Sequence, residues 1–388
     1  MTLLETLKTD REKRFLLIAA SVAFLAIAAA QAMYGPFYGV FRGEFGLSAS
    51  TVALTTMFHF AGGTGALLIS GVLVRRIGSI PVAAACSALL TLGFIAVSLA
   101  PSFGFILAGA FPVGTGFGGL QVLNFLIARI FVAHRAAALN LLNATFSVGA
   151  ILAPLAAAPF VTVDSYRPLF AMVSVLGVVV FILLLLQPRA IGTDTAAPSK
   201  LPRTWPVAFA ILGFLLLYFF YVGSETSFTN WIPTHLTTAY GEGLSARMAG
   251  LFWAALTLGR LVAIPVSERI KSPILVILAL SGGLLATVVA RSAGAAPAAY
   301  LVAGFFLGPI FPAGLAWIAE RFPHNSSSIS AFVLAGGGFG AIIFPPTIGS
   351  LVDAYSPVVI PISIAMVLVA AVVTAVTVRL TARRYVAS

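Results

Sequence analysis

The chain has 388 residues, 60% of them hydrophobic and only 9% charged, with a mean hydropathy of +1.07. A soluble domain of this size could not cover its surface with so few polar side chains, so a water-soluble enzyme or binding module is excluded. The net charge of +11 is spread over many short segments, with no basic patch and no interleaved aromatics, which argues against a nucleic-acid partner.

The chain opens with "MTLLETLKTDREKRF", polar and followed by an apolar run too long for the core of a cleaved signal peptide. Residues 1–13 read as a cytoplasmic tail. Twelve apolar stretches follow, at 14–40, 51–74, 79–100, 103–131, 136–160, 167–187, 207–238, 245–268, 272–292, 296–320, 325–353 and 356–379. Each is long enough to cross about 30 Å of hydrocarbon as a helix, and helices satisfy their backbone polar groups internally. The alternating pattern of a membrane β-barrel is absent. The lone Cys86 lies in an apolar run and can form no intrachain disulfide.

Turn and charge signals separate the stretches, among them "FRGEFGLSAS", "VRRIGS", "YGEGLSAR" and "RFPHNSSS". The only long polar linker inside the chain is "QPRAIGTDTAAPSKLPRTWP". It divides the spans six and six, giving an N-terminal bundle (14–187), a linker (188–206), a C-terminal bundle (207–379) and a tail (380–388). With the N-terminus inside, seventeen of the twenty-two basic residues fall in cytoplasmic segments, four outside, and Arg260 within a span. This positive-inside bias places both termini in the cytoplasm, with the chain in the inner membrane.

The two halves echo one another. "FGLSAS" before span two matches "EGLSAR" before span eight, and "VGAILAP" in span five matches "FGAIIFP" in span eleven. The expected fold is therefore an all-α membrane protein, twelve transmembrane helices in two pseudo-symmetric six-helix bundles. A parallel repeat of this kind is the architecture of major facilitator transporters, in which substrate binds near the midplane and access alternates.

The loop "SGVLVRRIGS" resembles the major facilitator superfamily signature between spans two and three, with Gly71, Leu73, Arg76 and Gly78 in matching places. Arg75 stands where the signature is acidic, which removes a carboxylate that the resemblance would place at the cytoplasmic gate. Within the superfamily, "GGLQVLNFLIARIF" (118–131), "AALNLLNATFSVGAILAPL" (137–155), "VGSETSFTNWIPTHL" (222–236) and "GPIFPAGLAWIAERFP" (308–323) are most similar to the fucose/glucose permease branch of sugar symporters. That resemblance implies a monosaccharide as substrate. The chain departs from the branch at Gln121, where an acid is common, and at Asn143, where a His is common.

An ionisable side chain inside a span costs at least a few kcal/mol and needs a reason. Of the eleven acids, Glu5, Asp10 and Glu12 lie in the tail, and Glu44, Asp164, Glu242 and Asp353 lie at outer ends. Asp194, Glu268 and Glu320 lie at inner ends or loops. Only Glu225 remains in a span interior. Two roles fit it: carrying a coupling proton, or staying ionised to hold a sodium ion or accept hydrogen bonds from substrate hydroxyls. Arg260, the only basic residue inside a span, could pair with it, bind an anionic substrate, or snorkel to an interface. His59 is a second candidate for coupling.

Helical spacing puts Thr229 on the Glu225 face, with Ser227, Asn230 and Trp231 on an adjoining one. Pro233 is expected to break the helix just beyond. Trp231 suits either the C–H face of a sugar or an interfacial anchor. Gln121 and Asn124 face together in span four, and Asn143 adds an amide in span five; amides both donate and accept, as sugar hydroxyls require. In "QAMYGPFYGVF" the Gly35-Pro36 pair breaks span one, with Tyr34 and Tyr38 beside the break. Arg75, Arg76, Arg129 and Arg321 read as cytoplasmic gate residues.

The glycine runs "GTGFGG" and "GGGFG" lack a P-loop Lys and a preceding strand, so they read as helix-packing surfaces. Metal-ligand and nucleophile motifs are missing, so no enzyme and no cofactor is expected beyond H+ or Na+ as coupling ion. The partners expected are a small-molecule substrate and the lipid bilayer, with the single chain sufficient as a monomer. Two alternatives stay open: an efflux permease for drugs or organic ions and anions, and a non-transporting scaffold or receptor on the same fold.

Overall fold

A computed structural model describes residues 3–188, 205–323 and 326–384. Most of the 188–206 linker and the last residues of the C-terminal tail lie outside the described residues, as do Arg189, Asp194, Lys200 and Arg203. Among the described residues, twelve helical segments are long and apolar enough to cross a membrane: α1 (Arg11–Phe45), α2 (Ala49–Ile77), α3 (Ser79–Ser98), α4 (Phe103–Ile130), α5 (Val132–Val161), α6 (Arg167–Leu185), α7 (Ala208–Tyr240), α8 (Glu242–Ser267), α9 (Ser272–Val289), α10 (Ala296–Arg321), α11 (Ile329–Ala354) and α12 (Pro357–Thr381). They correspond one for one to the apolar stretches of the sequence. No strand occurs among the described residues. Large apolar side chains such as Leu92, Met172, Leu285 and Val373 stand exposed in mid-span, as a lipid-facing surface requires.

The helices gather into two compact units. In the first, α1 packs on α5 and α6, and α3 packs on α4 and α6. In the second, α7 packs on α11 and α12, and α9 packs on α10 and α12. Each pairing in one unit is the other's shifted by six helices, which is the sequence repeat expressed as packing. Local irregularities repeat too: α4 breaks between Gly119 and Val122, and α10 between Leu307 and Ile310. α1 breaks around a 3-10 turn at Gly35–Phe37, where the Gly-Pro pair was expected to break it.

Two close approaches set the site helices. A Cβ on Gly114 of α4 would collide with the backbone carbonyl of His59 on α2, and one on Gly308 of α10 would meet the backbone nitrogen of Arg260 at 2.8 Å. Only glycine lets these helices touch backbone to backbone at those points.

The expected break at Pro233 does not occur. The helix from Trp205 to Tyr240 is continuous, with Pro233 inside it. Proline removes one backbone donor, and the local hydroxyls turn inward: Thr229 Oγ1 donates to the Glu225 carbonyl at 3.1 Å and Thr237 Oγ1 to the Pro233 carbonyl at 2.7 Å. One missing bond in a long packed helix is too small a loss to unwind it.

The second unit also includes residues 47–57, which the sequence reading places with the first bundle. The cause is Asp353 at the end of α11. Its carboxylate accepts from the backbone N–H of Ala49 at 2.6 Å and of Ser50 at 2.8 Å, and from Ser50 Oγ at 2.6 Å. A carboxylate from a distant helix thus caps the start of α2, where free N–H groups and the helix dipole favour negative charge. Gly349 lies beside Ser50, so close that a Cβ there would meet the Ser50 Cα at 2.7 Å. Asp353→Ala is expected to cost about 1 kcal/mol and to lower the thermal midpoint of the detergent-purified protein, with Asp353→Asn falling between. An unchanged midpoint in Asp353→Ala would show that the cap contributes nothing.

Candidate functional site

Glu225 sits in the middle of α7, almost wholly buried. One helical turn earlier, the Tyr221 hydroxyl donates to Glu225 Oε2. From α8, Arg260 Nη2 lies 4.0 Å from the same oxygen, the outer limit of an ion pair. A neighbouring hydroxyl donor and a neighbouring cation are what a desolvated carboxylate needs to remain in a helix interior. The Nε of Arg260 is buried and has no hydrogen-bond partner among the described residues, so the guanidinium keeps donor capacity beyond the pair. Tyr218, one turn before Tyr221, spends its hydroxyl on the Phe311 carbonyl at 2.7 Å.

Around Glu225 nearly every polar side chain of α7 is buried. Ser224, Thr226, Ser227, Thr229 and Asn230 are all closed off from solvent. Ser224 and Ser227 donate back to the carbonyls of Tyr221 and Gly223, both at 2.7 Å. Asn230 Nδ2 donates to the Thr226 carbonyl at 2.8 Å, and its Oδ1 accepts from Thr56 Oγ1 at 3.1 Å. Trp231 is fully buried, and its indole N–H donates to the Pro345 carbonyl on α11 at 3.1 Å. The amide of Asn230 and the indole N–H of Trp231 are therefore engaged within the protein.

The first unit holds two further groups. On α4, at the break before Val122, Asn124 Nδ2 donates to Gln121 Oε1 at 3.0 Å, so the two amides face together as their spacing suggested. Tyr34 and His59 meet edge to face, ring centroids 5.5 Å apart, both buried. Tyr38 is buried beside the break in α1, and Asn143 stands exposed on α5. Arg75 and Arg76 are exposed in the last turn of α2. Arg129 and Arg321 are half-buried in the last turns of α4 and α10, the latter lying 5.9 Å over the Phe322 ring.

Tyr221 is the site residue that the sequence reading missed. Its signal was present, one helical turn before Glu225, but it stands in the aromatic run "YFFY" where any tyrosine reads as packing. Thr56 was missed because its partner lies 174 residues away.

Two repeated six-helix units, with one interior acid among the described residues and its basic partner on the adjacent helix, define a multi-span membrane carrier. The family model for the Major Facilitator Superfamily matches residues 20–302, and the chain belongs to that superfamily. Among its relatives, the probable nitrate/nitrite transporter NarK2 of Mycobacterium tuberculosis is 32% identical over 168 residues, 40% of this chain and 40% of that protein. The glucose/mannose transporter GlcP of Bacillus subtilis is 22% identical over 79% of this chain and 80% of that protein. The mouse sodium-dependent glucose transporter 1A is 24% identical over 86% and 88% respectively. The crystal structure of a D-xylose-proton symporter shares the fold, with TM-score 0.79 at 14% identity over 95% of this chain and 97% of that one.

If Glu225 and Arg260 compensate one another, removing one partner strands a buried charge. Arg260→Met is expected to destabilise the protein by about 3 kcal/mol. The double variant Glu225→Gln/Arg260→Met should recover most of that loss. Thermal unfolding of the four proteins in detergent gives the cycle, and strictly additive effects would mean that the two side chains do not share their charge.

Proposed function

We propose that this chain is a secondary transporter that moves a small hydroxyl-rich solute, a monosaccharide, by alternating access, coupled to H+ or Na+ through Glu225. The observation that carries the reading is the Tyr221–Glu225–Arg260 cluster, the only acid in a span interior among the described residues, set beside a cation and a hydroxyl. Neutralising Glu225, by a proton or a bound sodium ion, weakens its hold on Arg260 and Tyr221. A rearrangement of those two side chains then links cation binding to the packing of α7 on α8. The substrate class is supported by the long matches to GlcP and to the mouse sodium-dependent glucose transporter.

Arg75, Arg76, Arg129 and Arg321 would serve at the cytoplasmic gate, and the distribution of basic residues favours the inner membrane with both termini inside. One chain would suffice for transport.

A second reading has an observation of its own. The unpartnered Nε of Arg260 and the partial match to NarK2 favour an anionic substrate bound by that guanidinium, as in a permease for organic or inorganic anions. Uptake by proteoliposomes separates the two. The expected result is accumulation of labelled D-glucose driven by an inward H+ or Na+ gradient in the wild type. In Glu225→Gln, accumulation should drop at least about tenfold while sugar exchange at equilibrium persists, as expected when a coupling group is lost but the binding site is kept. Gradient-driven glucose uptake that is unchanged in Glu225→Gln would sink the coupling role. Uptake of nitrate or organic anions in place of sugar would favour the second reading.

A further inference from the structure

Of the five buried side-chain polar atoms in the first unit that have no hydrogen-bond partner among the described residues, three sit on one pair of rings: Tyr34 Oη, His59 Nδ1 and His59 Nε2. Tyr34 is 1% exposed and His59 0%. Leaving a buried polar atom unpaired is costly, and native proteins rarely leave such groups unsatisfied. Three of them on two touching rings form a concentrated cost, the kind that folds accept where function uses the groups.

Aromatic rings pack around the pair. His59 lies 5.1 Å from Phe60 and 5.2 Å from Phe117, and Tyr34 lies 6.0 Å from Phe170, all centroid to centroid. None of these rings can supply the missing hydrogen bonds. The His59 backbone is held too, because α4 presents Gly114 directly against its carbonyl. The imidazole is therefore positioned by a helix crossing that allows only glycine opposite it.

We propose that Tyr34 and His59 form a specificity-determining pair that reads adjacent hydroxyl groups of a neutral polyol. Tyrosine both donates and accepts, and a neutral imidazole presents one donor and one acceptor. Together they match vicinal hydroxyls, which give and take hydrogen bonds in turn. The ring surround suits the apolar C–H face of a sugar and provides no charge to balance an anion. This assignment deepens the monosaccharide reading and rests on it. It makes His59 a ligand for substrate, separate from coupling at Glu225.

Heat protection of the detergent-purified protein by D-glucose and by its singly deoxygenated analogues provides the test. The wild type is expected to bind glucose about tenfold more tightly than at least one deoxy analogue, the value of one buried hydrogen bond. In Tyr34→Phe, and independently in His59→Phe, that preference should collapse toward unity, with thermal stability without ligand unchanged or higher. A pair that only held the fold together would change stability and leave the glucose-to-deoxyglucose ratio intact, and an intact ratio in both variants overturns the proposal while the sugar reading stands. Lack of protection by any sugar in the wild type overturns both. Size-exclusion elution of each variant identifies any that misfolds; Tyr34→Phe removes a single oxygen, so it carries the test if His59→Phe does not fold.

Discussion

The organisation of the second unit depends on keeping one carboxylate inside a membrane-spanning helix. A charge in that place costs several kcal/mol unless something compensates it. Here the compensation comes from two directions: a hydroxyl one turn away on the same helix, and a guanidinium on the next helix at 4.0 Å. That demand holds α7 against α8. It also helps to explain the glycine on α10 where that helix passes the Arg260 backbone. The polar face of α7 extends the same logic, since Ser224, Ser227 and Thr229 each close a hydrogen bond on a nearby backbone carbonyl.

Elsewhere the fold relies on small residues and repetition. Without a hydrophobic driving force between helices in lipid, close approach and interhelical hydrogen bonds hold a bundle together. The same pairings recur in both units, and at the α2–α4 and α8–α10 crossings a glycine sits against the backbone of a site residue. The two halves share a scaffold and differ in what it presents: a Tyr34–His59 pair in the first unit, a Glu225–Arg260 pair in the second.

Much of this was legible in the sequence, because hydropathy length reports membrane spans directly. The twelve segments, the repeat and the break in α1 follow from apolar runs and from Gly35-Pro36. Glu225 was found by elimination, since every other acid has a place at an end or in a tail. The spacing of Gln121 and Asn124 anticipated their contact. What the sequence did not reveal has three physical causes. Tyr221 is chemically ordinary in an aromatic run. Asp353 and Thr56 act through partners 304 and 174 residues away, and periodicity carries no information about such partners. Pro233 signals a break by local rules, but packing of α7 against α11 and α12 outweighs the loss of one donor, and the helix runs through. The bond from the Trp231 indole N–H to the Pro345 carbonyl on α11 is likewise a long-range contact that spacing does not reveal.

The proposed function requires that Glu225 rest as a carboxylate compensated by Arg260 and Tyr221 and give up that arrangement when the cation and sugar bind. Infrared difference spectroscopy of the reconstituted protein tests this most directly, with Glu225→Gln identifying the bands of this one side chain. The account predicts a carboxylate stretch assignable to Glu225 at neutral pH without substrate, which shifts or gives way to a protonated carbonyl stretch when D-glucose and the coupling cation are added together. A Glu225 band that is identical with and without glucose and cation would contradict it.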